Sequence, residues 1–166
     1  MSRLRGRGSA TVAAMNAPLF MGRSLTQGQV AQAFPLFALA SIKLSAEQWR
    51  WLAHAILSET EPPPVGIMTL QSPTGYIHGL FRFRASADQE GTVTLFVDDL
   101  VAPDLFGHAL AGCLTDVLGE LAARHGCATI DIGTPPPLHG TRLEAELYRR
   151  GFGRRHRSMV KALGAP

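Results

Sequence analysis

The spacing of apolar and polar positions divides the chain into a helical start, a middle of strands and a closing alternation of helix and strand. Residues 19–25 have the pattern of a short strand. From Gln27 to Ser41, Val30, Phe34, Phe37 and Ala38 recur at helical spacing. Pro35 should bend or break that helix, because it lacks an N–H and its ring crowds the preceding turn. Ser45-Ala46-Glu47-Gln48 is a capping box and opens a second helix, with Trp49, Leu52, Ala53 and Ile56 on one face. Pro62-Pro63-Pro64 stops helix. Val65–Gln71 is an apolar strand and Ser72-Pro73-Thr74-Gly75 a turn. Tyr76–Arg84 alternates, with Ile77, Phe81 and Phe83 predicted on one face and His78, Arg82 and Arg84 on the other. After a turn at Asp88–Gly91, Thr92–Val101 places Val93, Leu95, Val97 and Val101 on one face. These three strands predict an antiparallel meander.

Beyond Val101 the period changes. Residues 103–108 form a short loop, and Leu110, Leu114, Val117, Leu118 and Leu121 mark an amphipathic helix closed by Gly126. Cys127–Ile132 is a buried strand and residues 134–139 a proline-stiffened loop. Thr141-Arg142-Leu143-Glu144 is a second capping box, opening a helix that ends at Arg150-Gly151. Met159–Leu163 is a last short strand. Strand, helix, strand in succession implies a right-handed crossover, with strands 92–101 and 127–132 parallel neighbours.

Composition narrows the classes. With 46% hydrophobic and 17% charged residues, the chain has the makings of a buried core. No run reaches the roughly 20 apolar residues of a membrane span, and the basic N-terminus lacks the apolar stretch of a secretory signal. Residues 1–16 lack periodicity and read as a disordered basic tail, leaving residues 17–166 as a single domain. The net charge of +3 is uneven: residues 1–23 carry +4, residues 142–166 carry +5, and the body between them carries −6. No long basic stripe interleaved with aromatics and no zinc-finger spacing occurs, which argues against nucleic acid. Cys113 and Cys127 are too few for a disulfide framework and read as small core hydrophobes in a reducing cytoplasm. The six histidines have no metal-ligand spacing.

Residues 92–163 resemble the core of the GNAT acyltransferases, the acyl-CoA-dependent N-acyltransferases. The stretches that carry the likeness are TLFVDDLVAPDLFGHALAGCLTDVLGELAARHGCATIDI, LYRRGF and SMVKAL. The upstream strand, two helices and meander extend it over about residues 19–163. The resemblance implies a mixed α/β fold, with a mostly antiparallel sheet flanked by helices, and acyl-CoA as cosubstrate. Its amine acceptor would be a small molecule or a peptide, with neither membrane nor nucleic acid as partner and with room for a homodimer.

A helix N-terminus offers free N–H groups and the positive end of its dipole to a pyrophosphate. By resemblance that site is Leu100, Val101, Phe106, Gly107, His108, Ala109, Leu110 and Ala111. The family's Arg/Gln position is Phe106 and its middle glycine is Ala109; Ala111 fits the last small position. The segment reads equally as an ordinary helix start with small packing residues. The family's oxyanion donor, a backbone N–H, would fall at Leu100 or Val101. Asp98 occupies the place of an acid that holds or deprotonates the amine. Asp98 and Asp99 should face opposite sides of the strand, and a solvated strand end explains them as well. Tyr148 is the candidate acid for the leaving thiolate. The usual tyrosine position, four before the glycine of Gly-Phe, holds Leu147, and one residue turns a helical side chain by about 100°. His139 is the alternative proton carrier. Acceptor pockets in this fold come from the N-terminal helices, which here offer Trp49 and Trp51. The two functional expectations are an N-acyltransferase and a GNAT-like domain without turnover that binds coenzyme A or a protein partner.

Overall fold

The computed structural model describes residues 18–40, 43–58, 64–103, 107–133 and 141–164. Predictions falling on the tail, Phe106, the loop 134–139 and His139 lie outside the described residues. Seven strands form one sheet in the order β1-β2-β3-β4-β5-β7-β6. They are β1 (Met21–Ser24), β2 (Val65–Gln71), β3 (Ile77–Ala87), β4 (Val93–Val101), β5 (Thr129–Gly133), β6 (Gly153–Arg155) and β7 (Ser158–Ala162). The meander β2-β3-β4 is antiparallel, as its alternation and turns dictate. β5 pairs parallel to β4 from Thr94↔Thr129 to Val97↔Ile132, the crossover the sequence implied. β7 then runs antiparallel to β5. The hairpin strand β6 has no sequence signal: all three of its residues are exposed, so no apolar alternation marks it.

Among the described residues, four helices cover the sheet: α1 (Val30–Phe37), α2 (Ala46–Leu57), α3 (Gly107–Arg124) and α4 (Arg142–Arg149). The expected helix 27–41 is divided. Single 3-10 turns at Gln27–Gln29 and Ala38–Ala40 flank α1, which ends two residues past Pro35. The capping box at α2 is complete: Gln48 N–H donates to Ser45 Oγ (3.2 Å), and Ser45 N–H donates to Gln48 Oε1 (2.8 Å). The ends of α3 and α4 share one solution. Gly126 and Gly151 take φ of 63° and 87°. The next residue in each case bonds back to the carbonyl five before it, Cys127 to Ala122 (2.8 Å) and Phe152 to Leu147 (3.1 Å). The Gly151-Phe152 pair is therefore a helix stop whose phenyl ring is pressed into the core beside Leu147.

The sheet separates two apolar layers. Under α3 and α4 lie Leu70, Phe81, Phe83, Leu95, Val97 and Ile132 among others. Under α1 and α2, Ile67 and Leu80 meet Val30, Phe37, Trp49 and Ala53. Two expected faces are corrected. Ile77 packs with Leu80 in the α1/α2 layer, away from Phe81 and Phe83, and the register against β2 slips between Leu70 and Gln71. In β4 the register jumps from Arg82↔Asp98 to Leu80↔Val101, three steps on β4 for two on β3. Asp99 absorbs the extra residue with φ of 53°. Leu100, rather than Val101, therefore joins the α3/α4 core.

Trp49 anchors the α1/α2 layer. It is fully buried, stacks on Phe37 with ring centroids 4.2 Å apart, and donates its indole N–H to the Val30 carbonyl (2.7 Å). Trp51 on the same helix is exposed. Trp49→Ala is expected to destabilise the protein by about 3–5 kcal/mol, whereas Trp51→Ala should stay within about 0.5 kcal/mol. Urea denaturation of the two variants measures the contrast.

Candidate active site

The site gathers where β4 leaves β5. Their pairing ends at Val97↔Ile132, while β4 continues to Val101, among the described residues paired there with β3 alone. Asp98 lies at the parting: a Cβ on Gly133 would stand 3.4 Å from the Val97 carbonyl oxygen and 3.6 Å from Asp98 Oδ1. The bulge overturns the expectation that Asp98 and Asp99 face opposite sides. Asp99 is bound by Arg82 Nε, and Asp98 approaches Arg84 Nε at 3.8 Å. Arg82 and Arg84 are two apart on one strand, so both carboxylates are drawn to one face. The two pairs are unequal. The Asp99 side chain is only 14% exposed, while Asp98 and Arg84 are each about half exposed. Arg84 also lies over the Phe96 ring, 4.0 Å from its centroid. Asp99 is thus bound into the bulge, and Asp98 remains open to water and ligands.

Leu100 and Val101 are buried at the end of β4. Leu110 and Ala111 also point into the core, so they can offer a ligand only backbone, whereas His108 and Ala109 are exposed. Gly107 opens α3. Tyr148 stands outward on α4, while Leu147 fills the core position; the one-residue offset in the sequence is real in space. Among the described residues no hydrogen bond joins Tyr148 to Asp98. Of the two tryptophans, Trp49 is core and not pocket wall. Trp51 lines an open hollow of about 510 Å³ with Leu44, Glu47, Gln48 and Leu52.

The sequence reading passed over Glu146. It lies on the buried side of α4 between Leu143 and Leu147 and receives three partners. Arg150 Nε donates to Oε1 (3.0 Å); Arg149 Nη2 (2.6 Å) and His108 Nδ1 (2.9 Å) both reach Oε2. Arg149 Nη2 and His108 Nδ1 are only 3.1 Å apart. Both are directed at the same carboxylate oxygen, to which the Arg149 guanidinium donates. Gly112 on α3 makes room for the network: a Cβ there would come within 3.3 Å of Arg150 Nη2. The detectable signals are the i,i+3 and i,i+4 spacings of Glu146 to Arg149 and Arg150.

Both thiols are disfavoured as thiolates. Burial, then Asp116 and Glu120, pushes Cys113 up to about 11, and burial raises Cys127. Among the described residues no three His, Cys, Asp or Glu side chains gather as a metal site, and no helix is long and apolar enough to cross a membrane.

No family model matches the sequence, and no curated protein matches it. Solved structures do match. An acetyltransferase from Trypanosoma brucei is 18% identical over 87% of this chain and 99% of its own, with a TM-score of 0.60. A ribosomal-protein-alanine N-acetyltransferase from Brucella melitensis biovar Abortus is 18% identical over 82% and 93%, with a TM-score of 0.60. The structure of AAC(6')-Ib in complex with ribostamycin and coenzyme A is 17% identical over 86% and 93%, with a TM-score of 0.62. The chain has the fold of the GNAT acyltransferases.

The Glu146 carboxyl is held below its ordinary value of 4.5, first by the His108 hydrogen bond and then by Arg150 and Arg149, against the opposing effect of burial. A depressed carboxyl contributes stability above its unfolded value and loses it as pH falls through the folded one. The melting temperature should therefore drop as pH falls below about 4.5. Glu146→Gln should melt lower than wild type at neutral pH and show a shallower acid limb. Thermal melts over an acid pH series measure both.

Proposed function

We propose that the protein is an acyl-CoA-dependent N-acyltransferase, transferring an acetyl group to a primary amine of a small molecule or peptide. The observation that carries this reading is the parting of β4 from β5 after Val97↔Ile132, one residue before Asp98. Among the described residues, β4 beyond that point has no pairing partner on β5, so the amide-bearing pantetheine arm can lie there as a short strand would. Small or outward residues at the start of α3, Gly107 and Ala109, leave its N–H groups accessible to the pyrophosphate. The described residues thus fit acyl-CoA, and AAC(6')-Ib, of the same fold, is solved with coenzyme A.

Bound acyl-CoA supplies a thioester-activated acyl group. Asp98, half exposed on the open face of β4, holds the acceptor's ammonium and receives its proton directly or through water. A backbone N–H of Leu100 or Val101 donates to the acyl oxygen as charge develops there. Tyr148 or His139 returns a proton to the departing sulfur. The outward position of Tyr148 favours a second reading, a domain that binds coenzyme A without turnover.

Calorimetry with coenzyme A and a transfer assay over a panel of amines separate the two readings. Binding with transfer supports the enzyme, and binding without transfer supports the second reading. No binding at millimolar coenzyme A refutes both. Gly107→Glu should weaken coenzyme A binding at least tenfold, about 1.4 kcal/mol, by placing bulk and a like charge beside the pyrophosphate. Asp98→Asn should lower kcat while leaving coenzyme A affinity near wild type. Tyr148→Phe should also lower kcat; full activity in that variant would remove its hydroxyl from the mechanism.

A further inference from the structure

The register of the sheet lines up one row of residues from β3 across to β6. Arg82 stands opposite Asp98, Gly133 lies beside Asp98, Ser158 is opposite Gly133, and Arg155 is opposite Ser158. The row faces the α1/α2 side of the sheet, because the strand neighbours Phe81, Val97, Ile132 and Met159 belong to the α3/α4 core. Between Asp98 and Arg155 it holds no bulk. Gly133 has no side chain, and the Ser158 hydroxyl is turned to the Arg155 carbonyl (3.1 Å). Asp98 and Arg155 therefore stand at the two ends of a shallow trough, three strand spacings or roughly 14 Å apart at the backbone. The ends differ in charge. Near Asp98, and on the same face, Asp131 lies beside Phe96 and has no ion pair among the described residues. At the far end Arg155, His156 and Arg157 are all exposed, and Arg155 has no ion pair among the described residues. The other nearby cations are engaged elsewhere: Arg82 on Asp99, Arg84 on Asp98, and Arg154 on the opposite face, 3.9 Å from Glu144.

We infer that this trough selects an acceptor with its primary amine at one end and an anionic group, a carboxylate or a phosphate, at the other, and that Arg155 binds the anion. The inference rests on the N-acyltransferase reading above and names its substrate class. An ammonium group between Asp98 and Asp131 lies at the parting of β4 from β5, the place that reading uses for transfer. The far end of the same molecule then follows the row over Gly133 and Ser158 towards Arg155, whose guanidinium can donate two N–H groups to one carboxylate or phosphate. Arg155 is tied to Asp98 through hydrogen-bonded strands, so the separation of the two charges is set by the sheet and not by a long loop. The turn beyond it points the same way. It is the pair His156-Arg157, and His156 has a φ of 51°, in the left-handed region where tight hairpins ordinarily use glycine, asparagine or aspartate. A basic side chain is thus kept where the backbone alone would favour another residue. A second ammonium would be repelled at Arg155, and a neutral tail would gain nothing there.

Four primary amines of similar length test this: ε-aminocaproate, aminohexyl phosphate, hexylamine and hexamethylenediamine. Their far ends are a carboxylate, a phosphate, a methyl and a second ammonium. Each is titrated calorimetrically into the full chain with and without coenzyme A, and each is offered with acetyl-CoA in the transfer assay. The carboxylate or the phosphate probe should bind at least about tenfold tighter than hexylamine, with kcat/KM in the same order, and the tighter of the two identifies the anion. Added salt should shrink that preference. Arg155→Gln should reduce it about tenfold at an unchanged melting temperature, since the side chain is exposed. Arg155→Glu should turn it towards hexamethylenediamine, an inversion that a structural role would not produce. Arg154→Gln, on the opposite face, should leave it as in the wild type. Hexylamine bound as tightly as the anionic probes, no probe bound at all, or wild-type selectivity in Arg155→Glu overturns the inference. Acylation of amines regardless of their far end leaves the acyltransferase reading standing and removes only the inference. Selective binding of the anionic probes by a chain that binds no coenzyme A removes that reading and keeps the selectivity of the trough.

Discussion

A strand bonded on both sides has no backbone to spare for a ligand, and β4 is bonded antiparallel to β3 and parallel to β5. The left-handed backbone of Asp99 is the constraint that releases it. One extra residue inserted against β3 rotates the end of β4 and sends Leu100 into the α3/α4 core, and among the described residues none of 98–101 pairs with β5. Non-glycine residues pay for this conformation, aspartate less than most. The salt bridge from Arg82 holds the bulge closed around the strained residue. Asp98, one residue earlier, keeps a looser and wetter contact with Arg84. Of two adjacent carboxylates, one is thus committed to structure and the other remains available for chemistry.

The other side of the candidate site is organised by a buried carboxylate. Glu146 could not remain ionised in the α3/α4 interface without partners, and it recruits them from two helices. That arrangement requires α4 to stop where it does. The Gly151-Phe152 turn closes the helix just past its last residue, Arg149, and drives Phe152 into the core beside Leu147. The same turn that looks like a family signature therefore sets the helix rotation that places Leu147 inside, Tyr148 outside and Glu146 against His108. The buried carboxylate network and the outward tyrosine follow from one local geometry.

The sequence by itself determined the features whose causes are local. Two capping residues, the turns of the meander, the glycine stops of α3 and α4, and the helical and strand periods were legible because each depends on hydrogen bonds or burial within a few positions. From them the element order and the parallel β4/β5 crossover followed. Tertiary structure decided the rest. Whether Ile77 joins Phe81 or Leu80, and on which side Asp98 and Asp99 lie, depends on register shifts that a strict period of two cannot anticipate. That Trp49 is the core tryptophan was legible in the spacing it shares with Leu52, Ala53 and Ile56, but its partners Val30 and Phe37 were not. The Glu146 network joins positions 38 residues apart. A buried charge leaves no mark on periodicity except as an exception, and only the packing of two helices shows what neutralises it.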